Sequence, residues 1–317
     1  MRVVTFGYMT WGRRTIEAIL AAGHEIPLIV THPDSGNAYE KIFNESVAEL
    51  AADHGIPLLV RDRADDAEVR EAITATGADV MVVSNWRTWL PPEIFSIPPL
   101  GTLNVHDSLL PGYAGFAPLN WALINDEPEV GVTAHMMNAG FDAGDIVLQR
   151  ATPVTDDDTI ADLFDRTLGM FGPITVDALQ LVASGRTHWT PQDRRAASYF
   201  HRRCDEDNRI DWTWPARDIF NLVRAQSDPY PNAYCYHGPE RLRILKASVT
   251  EDTIGGTPGR IVIRRGTGVI IVAGGDARRG RCPGLLIERV RTDDGPELDA
   301  AEYFRRMGGY LTSYPQG

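Results

Sequence analysis

Several things are scarce in this chain of 317 residues. Cysteine occurs three times, as Cys204, Cys235 and Cys282, widely spaced and odd in number. That excludes a disulfide scaffold and the paired spacing of a zinc site, and it suits reduced thiols in a cytoplasmic protein. No apolar run reaches the roughly 18 residues a membrane helix needs. The first residues, Met1 to Gly7, run straight into a strand-like pattern without the apolar stretch and cleavage site of a signal peptide. Lysine is nearly absent, Lys41 and Lys246 against a background of arginine, a skew that fits genomic base composition. Positive charge of any kind is missing between Arg87 and Arg150, where Glu93, Asp107, Asp126, Glu127, Glu129, Asp142 and Asp145 stand. A nucleic-acid surface needs clustered cations, so this stretch favours a small cationic partner over a polyanion.

What is present is an ordinary globular composition, 43% hydrophobic and 23% charged, which excludes disorder and collagen. The length fits two domains. Net charge is −12, and residues 1–200 carry it with 13 basic against 27 acidic side chains. In that half, apolar runs alternate with helical spacings. Strands are expected at 3–6, 26–31, 56–60, 80–84 and 100–105, with helices at 13–22, 43–52 and 64–76. A strand pair at 130–137 and 145–153 follows, then a long helix over 159–183. Alternation of this kind predicts a Rossmann-like, mostly parallel α/β sheet with ligands at the carboxyl ends of its strands. After a linker at 191–207 the pattern changes. A helix over 216–225 and short strands at 233–236, 242–249, 259–263, 269–272 and 285–290 predict a small OB-like β-barrel. The expected domains are therefore a catalytic domain over 1–190 and a C-terminal domain over 208–317.

Gly7 and Gly12 bracket a turn after the first strand. Their spacing is neither a dinucleotide fingerprint nor a phosphate-binding loop, so a tight strand-to-helix turn is the simpler reading. Asn104 and His106 are two apart and so project from the same face of a strand's carboxyl end. An amide donor beside an imidazole suits acyl chemistry, one stabilising an oxyanion and the other moving a proton. Taken alone, the pair fits a structural role as well. Asp142 and Asp145 lie in a glycine-flanked loop. Such a carboxylate can orient an imidazole or close an Asx turn.

Taken in order, Asn104–Pro111, Tyr113–Trp121, Gly131–His135 and Phe141–Gln149 resemble the formyltransferase family that uses 10-formyltetrahydrofolate. The resemblance runs through Ala48–Pro57, Ile210-Asp211-Trp212, Asn221–Ala225 and Asp228–Pro231. It thus includes the second domain of methionyl-tRNA formyltransferase and of the enzyme that formylates lipid A aminoarabinose. It implies that Asn104, His106 and Asp142 are catalytic, with 10-formyltetrahydrofolate as co-substrate and no metal. Asp142 would orient His106. The folate would lie against Trp86, Arg87, Thr88, Trp89 and Leu90, and against Asn138 and Gly140.

Departures from the family narrow the acceptor. Ala114 stands where the tRNA and aminoarabinose enzymes usually carry Arg, and Phe116 is bulky where relatives are small or basic. Loss of that cation removes a partner for phosphate or carboxylate. Gly7-Tyr8-Met9-Thr10-Trp11-Gly12 is similar to formyltransferases encoded with siderophore assembly enzymes, which formylate N5-hydroxyornithine. An ammonium-bearing acceptor also suits an acidic site mouth. Thr10, Trp11, Tyr113, Phe116 and Asn120 are the side chains placed to hold it. A nucleotide-linked amino sugar is the alternative, with Arg13 and Arg14 free to bind phosphates. A non-enzymatic nucleic-acid binder and a folate hydrolase fit less well. The catalytic triplet is intact, and such hydrolases carry a regulatory domain ahead of the catalytic one. The partners expected are a small amine, no nucleic acid and no membrane. The second domain serves as a wall of the cleft or as a homodimer contact.

Overall fold

The computed structural model describes residues 1–34, 41–186 and 188–316. These divide into two compact units. The first comprises 1–118, 129–153 and 164–201; the second comprises 119–128, 154–163 and 202–317. Within the stretch expected to link two domains, residues up to 201 therefore go with the first unit and 202–207 with the second.

In chain order the first part contains β1 (Val3–Gly7), α1 (Met9–Ala21), β2 (Ile29–Thr31), α2 (Val47–Asp53), β3 (Leu58–Val60), α3 (Ala67–Thr76), β4 (Val80–Ser84), α4 (Pro92–Phe95), β5 (Thr102–His106), β6 (Ala114–Gly115), α5 (Pro118–Ile124), β7 (Glu129–Met136), β8 (Ile146–Pro153), α6 (Ile160–Ala183) and β9 (Tyr199–Phe200). Seven strands form one sheet in the order β3-β2-β1-β4-β5-β7-β8. The first five are parallel, while β7 and β8 are antiparallel to their neighbours. Every residue of β1 and β4 is buried. Strands covered on both faces need continuous apolar runs, and Val3–Phe6 and Val80–Val83 supply them.

Local chemistry sets the boundaries. Helix α2 begins later than its apolar spacing suggests, because the Ser46 side chain accepts from Glu49 N and caps it there. Helix α3 is capped by Asp66 and ends at Gly77 in a left-handed conformation. A Cβ on Gly12 would stand 2.5 Å from the Gly7 carbonyl carbon, so glycine there is a requirement of the β1–α1 turn. The short pair β6–β9 has no periodic signal in two-residue strands and is not among the expected elements.

The second unit adds α7 (Ala216–Ala225), β10 (Ala233–His237), β11 (Glu240–Thr253), β12 (Ile261–Arg265), β13 (Gly268–Ile271), β14 (Pro283–Thr292), β15 (Leu298–Asp299) and α8 (Ala300–Tyr303). The sheet is all antiparallel, in the order β10-β11-β14-β13-β12 with β15 on β14. Single bridges join Thr312 to Tyr236 of β10 and Tyr310 to Arg260 just before β12. The tail thus draws the two edge strands together. Ile219, Leu222, Leu242, Ile244, Leu285 and Ile287 fill the interior.

Segments 119–128 and 154–163 are tied to this unit by polar and apolar contacts, Ile124 among them. Arg217 pairs with Asp126 and Asp156, each at 2.7 Å. The buried Arg224 donates to the Thr155 carbonyl at 2.6 Å. Among the described residues no helix is long and apolar enough to cross a membrane.

Leu103 is fully buried in β5, between β4 and β7. Leu103→Ala is expected to cost about 2–5 kcal/mol by cavity formation, measured as a lower denaturant midpoint at unchanged slope.

Candidate active site

Strand β5 carries Asn104 and His106 on one face at its carboxyl end. Its antiparallel ladder with β7 sets Asn104 opposite His135 and His106 opposite Thr133. Asn104 Nδ2 lies 3.0 Å from His135 Nε2 and 3.5 Å from Asp142 Oδ1. A lone-pair nitrogen on one side and a carboxylate on the other require that the amide nitrogen, not its oxygen, face both. The second contact is long. Its N–H is therefore the one available to a stronger acceptor.

His135 is 2% exposed. Its Nδ1 lies 3.1 Å from the Met136 carbonyl, which can only accept, so Nδ1 carries the proton and Nε2 the lone pair. Burial pushes its pKa down to about 4, with the nearby Asp142 opposing and His106 adding to the shift. His135 is thus a neutral acceptor that fixes the Asn104 amide. His106 Nε2 lies 3.1 Å from the Tyr113 carbonyl. By the same reasoning Nε2 is the protonated nitrogen, and Nδ1 is left as the basic one.

Asp142 occupies a left-handed backbone position, φ 43°. Its Oδ2 accepts from Gly115 N at 2.9 Å, and its Oδ1 lies 4.0 Å from His135 Nε2. Among the described residues, the imidazole within ion-pair distance of this carboxylate is that of His135. Gly144 makes the loop feasible, since a Cβ there would stand 1.5 Å from the Met136 carbonyl oxygen. Burial also raises the pKa of Asp107, the residue after His106, with His106 opposing and Asp142 adding to it.

The other candidates sort by what their side chains touch. At the end of β4, Trp86 stacks on His32 with ring centres 3.7 Å apart, and among the described residues its buried indole Nε1 has no acceptor. Arg87 donates from its backbone to His32 Nε2 and lays its guanidinium over Tyr8. Leu90 is buried, while Thr88 and Trp89 are exposed. Asn138 Oδ1 accepts from Gly140 N at 2.8 Å, which shapes the start of the Asp142 loop. Thr10 and Trp11 are buried, Trp11 edge-on to Phe43 and Phe164. Tyr113 stacks on Phe200, and Phe116 faces the exposed Phe141 at 6.4 Å. Asn120 is buried in the second unit, where it donates to the Ala225 carbonyl.

Two electrostatic expectations change. The stretch without basic residues is not uniformly unpaired acid, because Asp126 is ion-paired with Arg217. Arg13 and Arg14 already hold Glu17, the Ser46 carbonyl and Glu45. The residue that sequence reasoning missed is His135. Its signal was the period-2 spacing of Thr133 and His135 in a strand beside Asn104.

Protonation of His135 has a defined sign. The unfolded side chain binds a proton below its usual pKa of 6.5, whereas the folded one stays neutral to about pH 4. Stability is therefore expected to fall by up to about 1.4 kcal/mol per pH unit as pH drops through that window. Denaturation of His135→Asn over the same range is expected to show a correspondingly flatter pH dependence.

Residues 1–179 match the family model for formyl transferase, and residues 204–308 match formyl transferase, C-terminal domain. Among solved structures, HypX from Aquifex aeolicus in complex with tetrahydrofolic acid is 18% identical, with a TM-score of 0.60 over 96% of this chain and 47% of that one. This chain therefore spans about half the length of HypX. WlaRD, a sugar 3N-formyl transferase crystallised in the presence of dTDP and 5-N-formyl-THF, is 19% identical, with a TM-score of 0.65 over 93% of this chain and 99% of that one. The N-formyltransferase from Helicobacter canadensis, in complex with folinic acid and dTDP-3-aminofucose, is 19% identical, with a TM-score of 0.63 over 90% and 98% of the two chains. At these identities the structures share the fold. The two family matches cover most of both units, and the chain belongs to the formyl transferase family.

Proposed function

We propose that the chain transfers the formyl group of 10-formyltetrahydrofolate to the nitrogen of a small molecule, with N5-hydroxyornithine as the acceptor. The observation that supports the reaction class is that Asn104 and His106 share one face at the end of β5, with the Asp142 carboxylate 3.5 Å from the Asn104 amide, in a chain of this family. Each has a role that its partners support. The weakly engaged N–H of Asn104 can take the oxyanion that develops as nitrogen adds to the formyl carbon. Nδ1 of His106 can accept the proton the attacking nitrogen gives up and return it to the folate nitrogen as the bond from that nitrogen to the formyl carbon breaks. Asp142 holds the Gly115 N–H and the Asn104 amide, which keeps the loops on either side of the reacting centre in register. The folate supplies the formyl group. Residues 85–90 and 138–142 fit it with an exposed Trp89, an exposed Thr88 and the indole N–H of Trp86, which has no acceptor among the described residues.

The acceptor reading rests on charge. Ala114 gives no cation beside the site, and Arg13 and Arg14 are committed to Glu17 and Glu45. A sugar diphosphate would therefore have to displace Glu17 and Glu45 to use these two arginines. The nucleotide-linked 4-amino sugar stays as the second reading because WlaRD and the Helicobacter canadensis enzyme, named for sugar N-formyl transfer or crystallised with a dTDP-amino sugar, share the fold over nearly their whole length.

The test is turnover with 10-formyltetrahydrofolate and a panel of N5-hydroxyornithine, ornithine, a nucleotide-linked 4-amino sugar, charged initiator tRNA and water, read by product mass. Formyl on hydroxyornithine and not on ornithine is expected. Formyl on the sugar nucleotide alone overturns the acceptor, and formate from water alone overturns the transfer. His106→Ala is expected to lower kcat by about 10²–10⁴ and Asn104→Ala by about 10²–10³.

A further inference from the structure

Residues 190–200 run past both catalytic loops as a strap. Thr190 bridges Ile146 through paired backbone bonds of 2.8 and 3.0 Å. Ser198 then meets the loop after β5: its Oγ accepts from Tyr113 N and its carbonyl from Ala114 N, both at 2.9 Å. Phe200 accepts from Phe116 N at 3.0 Å. Between these anchors, Gln192 Nε2 lies 2.9 Å from the Asp142 carbonyl and 2.7 Å from the Gly144 carbonyl. One amide thus uses both its N–H groups on the two residues whose backbone geometry is most constrained in that loop. Asp142 sits at φ 43°, and Gly144 has no room for a side chain.

The geometry points to Gln192 as a positioning residue for Asp142, fixing where its carboxylate stands against Gly115 N and Asn104. This inference rests on the proposed role of Asp142. A side chain that only accepts cannot replace it: in Gln192→Glu, the carboxylate oxygen in place of Nε2 would face both carbonyl oxygens. The loop must then rotate away, and the carboxylate leaves the Gly115 N–H with it. Because Asp142 acts on the reacting centre, the loss falls on kcat rather than on acceptor binding.

The experiment is a double-mutant cycle on the full chain with Gln192→Glu, Asp142→Asn and the pair, recording kcat, the acceptor KM and the melting temperature. Gln192→Glu is expected to lower kcat at least tenfold with KM changed less than threefold. The pair is expected to lose no more than Asp142→Asn alone, since one residue acts through the other. Additive losses overturn the inference, as does wild-type kcat in Gln192→Glu when Asp142→Asn is impaired. Wild-type kcat in Asp142→Asn instead overturns the role of Asp142, and this inference with it. If the glutamate variant does not fold, Gln192→Ala removes the same donors without adding charge and is expected to give the same cycle.

Discussion

Everything at this site depends on the way β5 is paired. On one side it runs parallel to β4, a strand buried along its whole length; on the other it runs antiparallel to β7. The antiparallel register sets Asn104 directly across from His135. Directly opposed residues in such a ladder have side chains within contact distance, so the amide and the imidazole meet without any loop having to bring them together. The rest of the site is assembled on that pair. Asn104 reaches Asp142, Asp142 reaches Gly115, and the loop containing Gly115 offers the Tyr113 carbonyl to His106.

Neutral histidine is central to this arrangement. Were His135 to carry a charge, Nε2 would become a donor and compete with the Asn104 amide for the same carboxylate. Burial of the ring prevents that by making the imidazolium costly, while the Met136 carbonyl fixes which nitrogen keeps the proton. The amide then has a determined orientation, which the role proposed for Asn104 requires. The two histidines are thereby differentiated by their carbonyl partners. His135 is locked as an acceptor towards the protein, and His106 keeps its basic nitrogen free of the Tyr113 carbonyl.

The long loops that complete the site are held by few and specific contacts. The Asp142 loop has a left-handed aspartate, a glycine pressed on a carbonyl and one side-chain amide across its back. The loop after β5 is pinned to the strap by the two-residue pair β6–β9. A Cβ on Gly115 would stand 2.5 Å from the Phe200 carbonyl oxygen, so the strap approaches as closely as backbone can.

The sequence by itself determined the alternation of strands and helices, the change of pattern after about residue 208, and the placement of Asn104 and His106 on one face. Those are local properties, set by side-chain periodicity along one segment. The family resemblance carried Asp142 as well. It did not reveal that the carboxylate's imidazole neighbour is His135, because that depends on which residue of β7 stands opposite Asn104. The apparent acidic strip was also a property of the linear chain alone. In the fold Asp126 lies against Arg217, a residue 91 positions away. Residues 119–128 and 154–163 joined the second unit through contacts of the same long range. Gln192 likewise looked like part of a polar linker. Its role appears only when two carbonyls 48 and 50 residues earlier in the chain are brought to its amide. Periodicity reports what a segment does to its own neighbours. Charge pairing and donor–acceptor matching between distant segments are decided by tertiary structure, because they depend on distances that no local pattern contains.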